Sequence, residues 1–96
     1  MFVLALRMDL HLPACRSLKD RRQVVKPIID GARHRFRVSA AEVGGLDRWQ
    51  RAEIGFAVVS VASHQARAIM DEVEGFVWSF PEVEVLLAER SWLDDA

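Results

Sequence analysis

Residues 2–12 read FVLALRMDLHL, and apolar side chains occupy every second position of this stretch. In an extended chain the even-numbered residues share one face, and the other face carries Val3, Ala5, Arg7, Asp9 and His11. This period of two predicts a β-strand whose apolar face lies against a core. Pro13 ends the strand, because proline cannot donate a hydrogen bond to a sheet.

A helix is predicted over residues 18–34. Ser17 is the expected N-cap, with Asp20 at the position of an approximate capping box. Apolar side chains then recur at helical spacing as far as Phe36. Pro27 lies inside this segment and is expected to kink the helix, and Gly31 is expected to weaken its second half.

Three further elements and a terminal tail are predicted in the second half of the chain. Strands are expected at 36–43, 51–62 and 82–92, the second apolar on both faces and the third with Val83, Val85 and Leu87 on one face. A helix is expected at 64–78, with Ser63 as its N-cap. Residues 94–96 are expected to be a solvated tail.

The order of these elements predicts the fold. Strand, helix, strand, strand, helix and strand make one α+β domain over residues 1–96. Right-handed connections place both helices on one face of a four-stranded antiparallel sheet. The expected architecture is therefore a ferredoxin-like βαββαβ sandwich.

Composition limits the classes of function. A chain of 96 residues builds one core and leaves little room for a large internal active site. No apolar stretch approaches the ~20 residues of a membrane span, so no membrane partner is expected. The apolar N-terminal run lacks the basic region of a signal peptide, and Cys15 is the single cysteine, so the predicted location is cytoplasmic.

Charge is distributed unevenly along the chain. Residues 1–52 contain eleven Lys and Arg but five Asp and Glu, whereas residues 53–96 contain two and nine. This asymmetry suggests a polyanionic partner for the first half, or head-to-tail self-association. Two oppositely charged solvated faces would give the same pattern.

Metal and phosphate chemistry find little support in the residues. His11, His34 and His64 lack ligand spacing, so neither a metal nor another cofactor is expected. Acylphosphatases share the predicted topology, but the loop after the first strand, at 13–16, has no glycine to form a phosphate cradle. No small-molecule substrate is identified.

Two other catalytic hypotheses are weak. Cys15 precedes the first helix beside Arg16, where cations and a helix N-terminus lower a thiol pKa, but a lone loop cysteine is usually incidental. Glu42 and Asp47 flank a turn and offer paired carboxylates, although such acids usually cap or solvate a turn. We therefore predict no catalytic residues and a protein that is not an enzyme.

Two segments of the chain bear on RNA binding by an aromatic sheet surface. Residues 1–6 and 54–61 partly resemble the two motifs of the RNA recognition motif. That platform needs aromatic rings on the exposed sheet face, but Phe2 belongs to the apolar core series of the first strand. This mode is accordingly disfavoured.

The first helix carries the strongest candidate site. Lys19, Arg22, Lys26 and Arg33 fall close to one helical stripe, interrupted by Asp30. A row of cations at this spacing suits a phosphate backbone, and an ordinary solvated helix is the alternative. The predicted nucleic-acid-binding residues are Arg16, Lys19, Arg22, Lys26, Arg33, Arg35 and Arg37.

The sheet face opposite the helices is the second candidate. It is expected to expose more apolar surface than a monomer usually does, with an apolar set from Ala57, Val59 and Val61, and Trp92, facing away from the helices. A partner protein or a second copy would cover it, with a predicted interface at Val3, Ala5, Leu86 and Ala88.

Several blocks of the sequence resemble a known bacterial family. They are HLP at 11–13, SLKDRR at 17–22, RFRVSAAEV at 35–43 and DRWQRA at 47–52, and they resemble the YlxP-like family. The resemblance implies a ferredoxin-like fold and, from the gene neighbourhoods of its members, an association with translation initiation or ribosome maturation. The chain departs from the family pattern at Arg37 and at Gly44-Gly45, and the family supplies no catalytic residues. The predicted function is a non-enzymatic accessory protein associated with RNA or the ribosome, or alternatively a homodimeric interaction module.

Overall fold

The computed structural model describes residues 1–93, which form six elements. In chain order these are β1 (Phe2–His11), α1 (Leu18–Phe36), β2 (Ser39–Gly44), β3 (Arg51–Ser60), α2 (Ser63–Trp78) and β4 (Glu84–Trp92). The strands form one antiparallel sheet in the order β2-β3-β1-β4, with both helices on one face. The predicted ferredoxin-like architecture is confirmed, and the predicted tail at 94–96 lies outside the described residues.

The core lies between the helices and the even-numbered side of the two central strands. Leu4, Leu6, Met8 and Leu10 of β1 are at most 1% exposed, as the alternation of this strand predicts. Because residues paired directly across antiparallel strands share a face, their partners in β3 are also buried. The helices cover this layer with Val25, Ile28 and Ala32 of α1 and Met70, Val73 and Val77 of α2.

The ends of α1 match the sequence prediction at the start but not at the finish. The Ser17 hydroxyl accepts a hydrogen bond from the Asp20 amide at 3.0 Å, and the Asp20 carboxylate accepts one from the Arg16 amide at 2.9 Å. The helix continues through Pro27 to Phe36 and stops at Arg37, whose φ of 54° is left-handed. Because this residue turns the chain, β2 begins at Ser39, later than predicted.

The connection from β3 to α2 also differs from the prediction. The helix begins at Ser63 itself, and the N-cap is Ala62, which makes no side-chain cap. The Ser60 hydroxyl accepts from the Ala62 amide at 3.2 Å and donates to Gln65 at 3.0 Å. These bonds explain why the strand ends at Ser60, before the predicted limit.

A bulge in β4 changes which side chains face the helices. The register with β1 shifts between Asp9 and Leu10, so that Leu87 pairs with Asp9 but Val85 pairs with Leu10. Val85 therefore lies on the helix side and Leu87 on the opposite side, and the predicted common face for them is wrong. Leu86 occupies the bulge and is 50% exposed.

Because of the bulge, two residues of the predicted apolar face lie on the opposite side of the sheet. Ala88 pairs with Met8 and Trp92 pairs with Leu4, which places both on the helix side of the sheet. The prediction that they face away from the helices is wrong, because one extra residue in the strand reverses the alternation. Val3 and Ala5 do face away, paired with Val59 and Ala57.

Gly31 has a low helix propensity, but it has a role in the packing of α1 against α2. A Cβ atom at this position would lie 2.5 Å from the ring of Phe76, so the glycine permits a close approach of α2. The ring of Phe76 also meets Phe36 and Phe80 edge to face, with centroids at 5.6 and 5.1 Å. The missing side chain thus allows the two helices to share an aromatic cluster.

The turn after β2 supplies a test of the backbone geometry. Gly45 has a φ of +71°, and we expect Gly45→Ala to lower the free energy of unfolding by about 1–2 kcal/mol, because a Cβ strains this conformation. Gly75→Ala is the control, since a Cβ there meets nothing within 4 Å and improves helix propensity by up to about 1 kcal/mol. Urea denaturation measures the free energy of unfolding of both variants. Equal midpoints for the two would contradict the left-handed conformation of Gly45.

Candidate nucleic-acid interface

The first two turns of α1 and the residue before its cap present three exposed cations. They are Arg16, Lys19 and Arg22, here called the basic trio. Within residues 1–93 none of them has a carboxylate oxygen within 4.0 Å. Their charges are therefore available to an external anion.

The remaining cations of the predicted stripe already have partners. Lys26 forms an i, i+4 ion pair with Asp30. Arg33 donates from Nε to the carbonyl oxygen of Ala40 at 3.0 Å, which ties the helix to the edge strand β2. The predicted row thus differs along its length: Asp30 neutralises Lys26, a neutral carbonyl group holds the Arg33 side chain to β2, and the basic trio has neither kind of contact among the described residues.

Arg35 and Arg37 lie apart from the stripe. The Arg35 guanidinium lies 5.2 Å from the ring centroid of Phe76 and 5.7 Å from that of Phe36, on the side of α1 that faces α2. Arg37 is the C-cap, and the helix before it has 19 residues, or about 28 Å. The structure does not bring these two cations to the basic trio.

A groove runs between α1 and the β2–β3 hairpin. Its floor contains Arg21, whose Nε donates to the Arg51 carbonyl at 3.0 Å and whose guanidinium contacts the Glu42 carboxylate. Arg21 is only 5% exposed, so this ion pair is largely removed from water. The groove is lined by Leu18, Arg21, Arg22, Val25, Lys26, Ile29, Asp30, Arg33, Glu42 and Leu46.

Arg21 was missed among the candidate residues because a charged side chain was expected to be solvated. A signal was present in its spacing, since Arg21 stands in phase with Val25, Ile28 and Ala32, all of which are buried. Its partner Glu42 is consequently a structural acid. Asp47 lies in a different pocket with Arg48 and Arg51, so the hypothetical carboxylate pair is not assembled.

Cys15 is buried rather than reactive. It is 3% exposed and belongs to the core cluster. Burial raises the pKa of its thiol, Asp20 raises it further, and Arg21 acts in the opposite direction. The thiolate hypothesis fails because loss of solvent outweighs the nearby positive charge.

The loop that joins β2 to β3 is fixed against the N-terminal end of α1. The Gln50 side chain donates to the carbonyls of Pro13 and Cys15, both at 3.2 Å, and the Gln50 carbonyl accepts from the Leu12 amide at 2.9 Å. The adjacent Trp49 is 54% exposed. An exposed tryptophan is thereby held next to the segment that carries Arg16.

The open face of the sheet, opposite the helices, divides into a charged half and an apolar half. In the charged half Arg7 contacts the carboxylates of Asp9, Glu53 and Glu89 at 3.0, 3.6 and 3.7 Å. Val3, Ala5, Ala57 and Val59 form the apolar half. The paired positions on this face carry no Phe, Tyr or Trp in the described strands, and the ring of His11 lies 3.1 Å from the Glu84 carboxylate. The Phe, Tyr and Trp rings of an aromatic RNA platform are therefore lacking at these positions.

Residues 1–93 contain no cluster of three or more His, Cys, Asp or Glu arranged to hold a metal ion. Neither helix in that range is long and apolar enough to cross a membrane.

These features define a small ferredoxin-like protein with a basic helix end and a two-part open sheet face. Residues 3–90 match the family described as "Protein of unknown function (DUF503)", and the chain belongs to this family. The predicted YlxP-like membership is confirmed by 38% identity over 76 residues to the "Uncharacterized protein YlxP" of Bacillus subtilis (strain 168), covering 79% of this chain and 83% of that protein. None of these matches indicates an enzymatic family.

A solved structure supports the fold alone. The solution structure of the de novo designed protein LFR1 1, described as having a ferredoxin fold, matches with a TM-score of 0.58 and 12% identity. The match covers 99% of this chain and 88% of the designed protein. A backbone idealised by design therefore shares the element arrangement found here.

The buried state of Cys15 can be tested by thiol labelling. At about pH 8 we expect the thiol of the native protein to react with a disulfide reagent about tenfold more slowly than the thiol of the urea-unfolded chain. In the native protein the thiol is both buried and less ionised. Since its pKa is raised in the folded state, stability should also fall as the pH rises past the ordinary thiol pKa of about 8.5. Equal labelling rates for the two states would contradict this.

Proposed function

We propose that this protein is a cytoplasmic, non-enzymatic accessory protein that binds RNA, free or within the ribosome, through the N-terminal end of α1. The observation that carries the proposal is the basic trio, which is exposed and lacks carboxylate partners among the described residues. Cations that are not neutralised internally gain the most from phosphates, because they release the counterions of the nucleic acid.

The distribution of negative charge supports the same orientation. Asp71 and Glu72 are exposed on α2, and Glu82, Glu84 and Glu89 are exposed in or near β4. Arg90 joins β4 to α2 by donating to Glu74 and Asp71 at 2.9 and 2.8 Å. RNA bound at the basic trio avoids this acidic side, which would repel phosphates.

Side chains, rather than the helix terminus, make the phosphate contacts in this proposal. The Asp20 carboxylate already accepts the Arg16 amide, and the Ser17 hydroxyl already accepts the Asp20 amide. A carboxylate at this end of the helix offsets the attraction of the remaining backbone amides for a phosphate. Binding should therefore follow the number of cations and depend little on the order of bases.

A salt titration of binding to single-stranded RNA tests this proposal. With three to five phosphates neutralised, the log–log slope of affinity against salt should be about −2 to −4. The triple variant Arg16→Ala/Lys19→Ala/Arg22→Ala should lower the magnitude of the slope by about 2 and weaken binding at low salt by about tenfold or more.

The control variant is Arg35→Ala/Arg37→Ala/Arg67→Ala, which removes the same charge from positions away from the trio. It should change affinity at low salt by less than about threefold, because only the general field of the protein is altered. Circular dichroism checks that both variants fold. Equal losses in the two triple variants, or no binding by the wild type at low salt, would count against the proposal.

A second candidate function is self-association through the apolar half of the open face. Val59 is 65% exposed, and a groove on the same face is lined in part by Ala5, Val43 and Ala57. Exposed apolar surface of this kind is typical of an interaction site. In this alternative two copies cover their apolar halves.

Light scattering tests the alternative. If the apolar halves pair, Val59→Lys should convert a dimer into a monomer, because it buries a charge at the contact without entering the core. Leu86→Lys is the matched control, since it introduces the same charge in the β4 bulge, outside that half of the sheet. A wild-type monomer at concentrations of roughly 100 μM, within the usual range of weak dimers, would exclude this alternative.

A further inference from the structure

Trp49 is an exposed aromatic ring on a loop that is held in place. Its neighbour Gln50 makes three hydrogen bonds to residues 12–15, and the Arg48 amide donates to the Gly45 carbonyl at 3.1 Å within the same loop. Tryptophan buries a large apolar area when it can, so 54% exposure on a fixed loop leaves stacking surface available. The exposure does not arise from a lack of contacts in the loop around it.

The other two tryptophans have different surroundings. Trp92 packs edge to face on Phe2 at 6.1 Å, and the Arg67 guanidinium lies 5.9 Å from its ring centroid. Trp78 is 61% exposed but ends α2, the helix that carries Asp71 and Glu72. Trp49 alone among the three is flanked by cations in the chain.

The charges around Trp49 specify the chemistry of its partner. Arg48 precedes it, Arg51 follows within two residues, and Arg16 lies on the segment to which Gln50 is bonded. Within residues 1–93 none of these three arginines pairs with a carboxylate within 4.0 Å. A flat ring among unpaired cations is complementary to a ligand that joins flat rings to phosphates, which is a single-stranded nucleic acid.

We infer that Trp49 stacks on a base of single-stranded RNA whose phosphates contact the basic trio. This inference rests on the proposed function and adds a second kind of contact to it. The trio supplies affinity that depends on salt, whereas stacking supplies affinity that is largely independent of salt and tolerant of sequence. The loop and the helix end then bind successive parts of one strand.

The experiment compares two probes, a single-stranded RNA oligonucleotide and an abasic oligonucleotide with the same number of phosphates. Wild type should bind the abasic probe about 5- to 150-fold more weakly, the range expected for losing one stacked base. Trp49→Ala should bind the two probes with nearly equal affinity and keep the wild-type salt slope, because the phosphate contacts are unchanged. Trp49→Phe should retain most of the preference for bases.

Trp78→Ala is the matched control, since it removes an exposed tryptophan of similar accessibility from the acidic side and should leave both affinities unchanged. The Trp78→Phe/Trp92→Phe variant retains Trp49 as the single tryptophan, and its fluorescence should be quenched by the oligonucleotide with bases but not by the abasic one. This signal does not require a destabilising change at position 49.

The outcomes separate the two claims. If wild type binds both probes equally with a steep salt slope, the phosphate-binding function stands and the stacking role of Trp49 is overturned. The same conclusion follows if Trp49→Ala retains the preference for bases. If wild type binds neither probe at low salt, both the function and the stacking role are overturned.

Discussion

The rest of the structure depends on the burial of one side of β1. This strand pairs with β3 on one edge and β4 on the other. Its alternation therefore determines which side chains of both neighbouring strands point toward the helices. The apolar side must lie against the helices because water is excluded only there. The opposite side is consequently exposed, and it carries Val3 and Ala5 toward one end and Arg7 and Asp9 toward the other. The two halves of the open face thus follow from the order of residues in a single strand.

The link between the core and the basic surface is the Arg21 side chain. A buried guanidinium is costly unless its charge is paired, and here the Glu42 carboxylate of β2 balances the charge while the Arg51 carbonyl of β3 accepts a hydrogen bond from Nε. The contact fixes the beginning of α1 against the hairpin that also holds Trp49. The basic trio lies near this anchor and makes no ion pair within residues 1–93. Farther along the helix, Lys26 pairs with Asp30 and Arg33 donates to the Ala40 carbonyl.

Much of the fold was predictable from sequence because the deciding signals are local. The alternation of β1, the Ser17 cap and the helical spacing of apolar residues each report on neighbouring positions. The errors arose where a distant contact decides the outcome. Nothing in 82–92 reveals that Leu86 forms a bulge, because the bulge exists only in register with β1, and the facing of Ala88 was wrong for that reason. Arg21 has the spacing of a buried residue, but its burial depends on Glu42, which is 21 positions away in the sequence.

Both outer strands of the sheet carry features that oppose the addition of another strand. The register of β2 against β3 shifts between Glu42 and Gly44, and Arg33 occupies the Ala40 carbonyl of this short strand. On the other side, the bulge at Leu86 interrupts β4. An irregular edge is a poor template for backbone pairing, so both edges of this sheet disfavour edge-to-edge addition of a strand from another molecule. If two copies of the protein associate, the broad face of the sheet is the surface on which they can close on each other, and such an assembly stops at two.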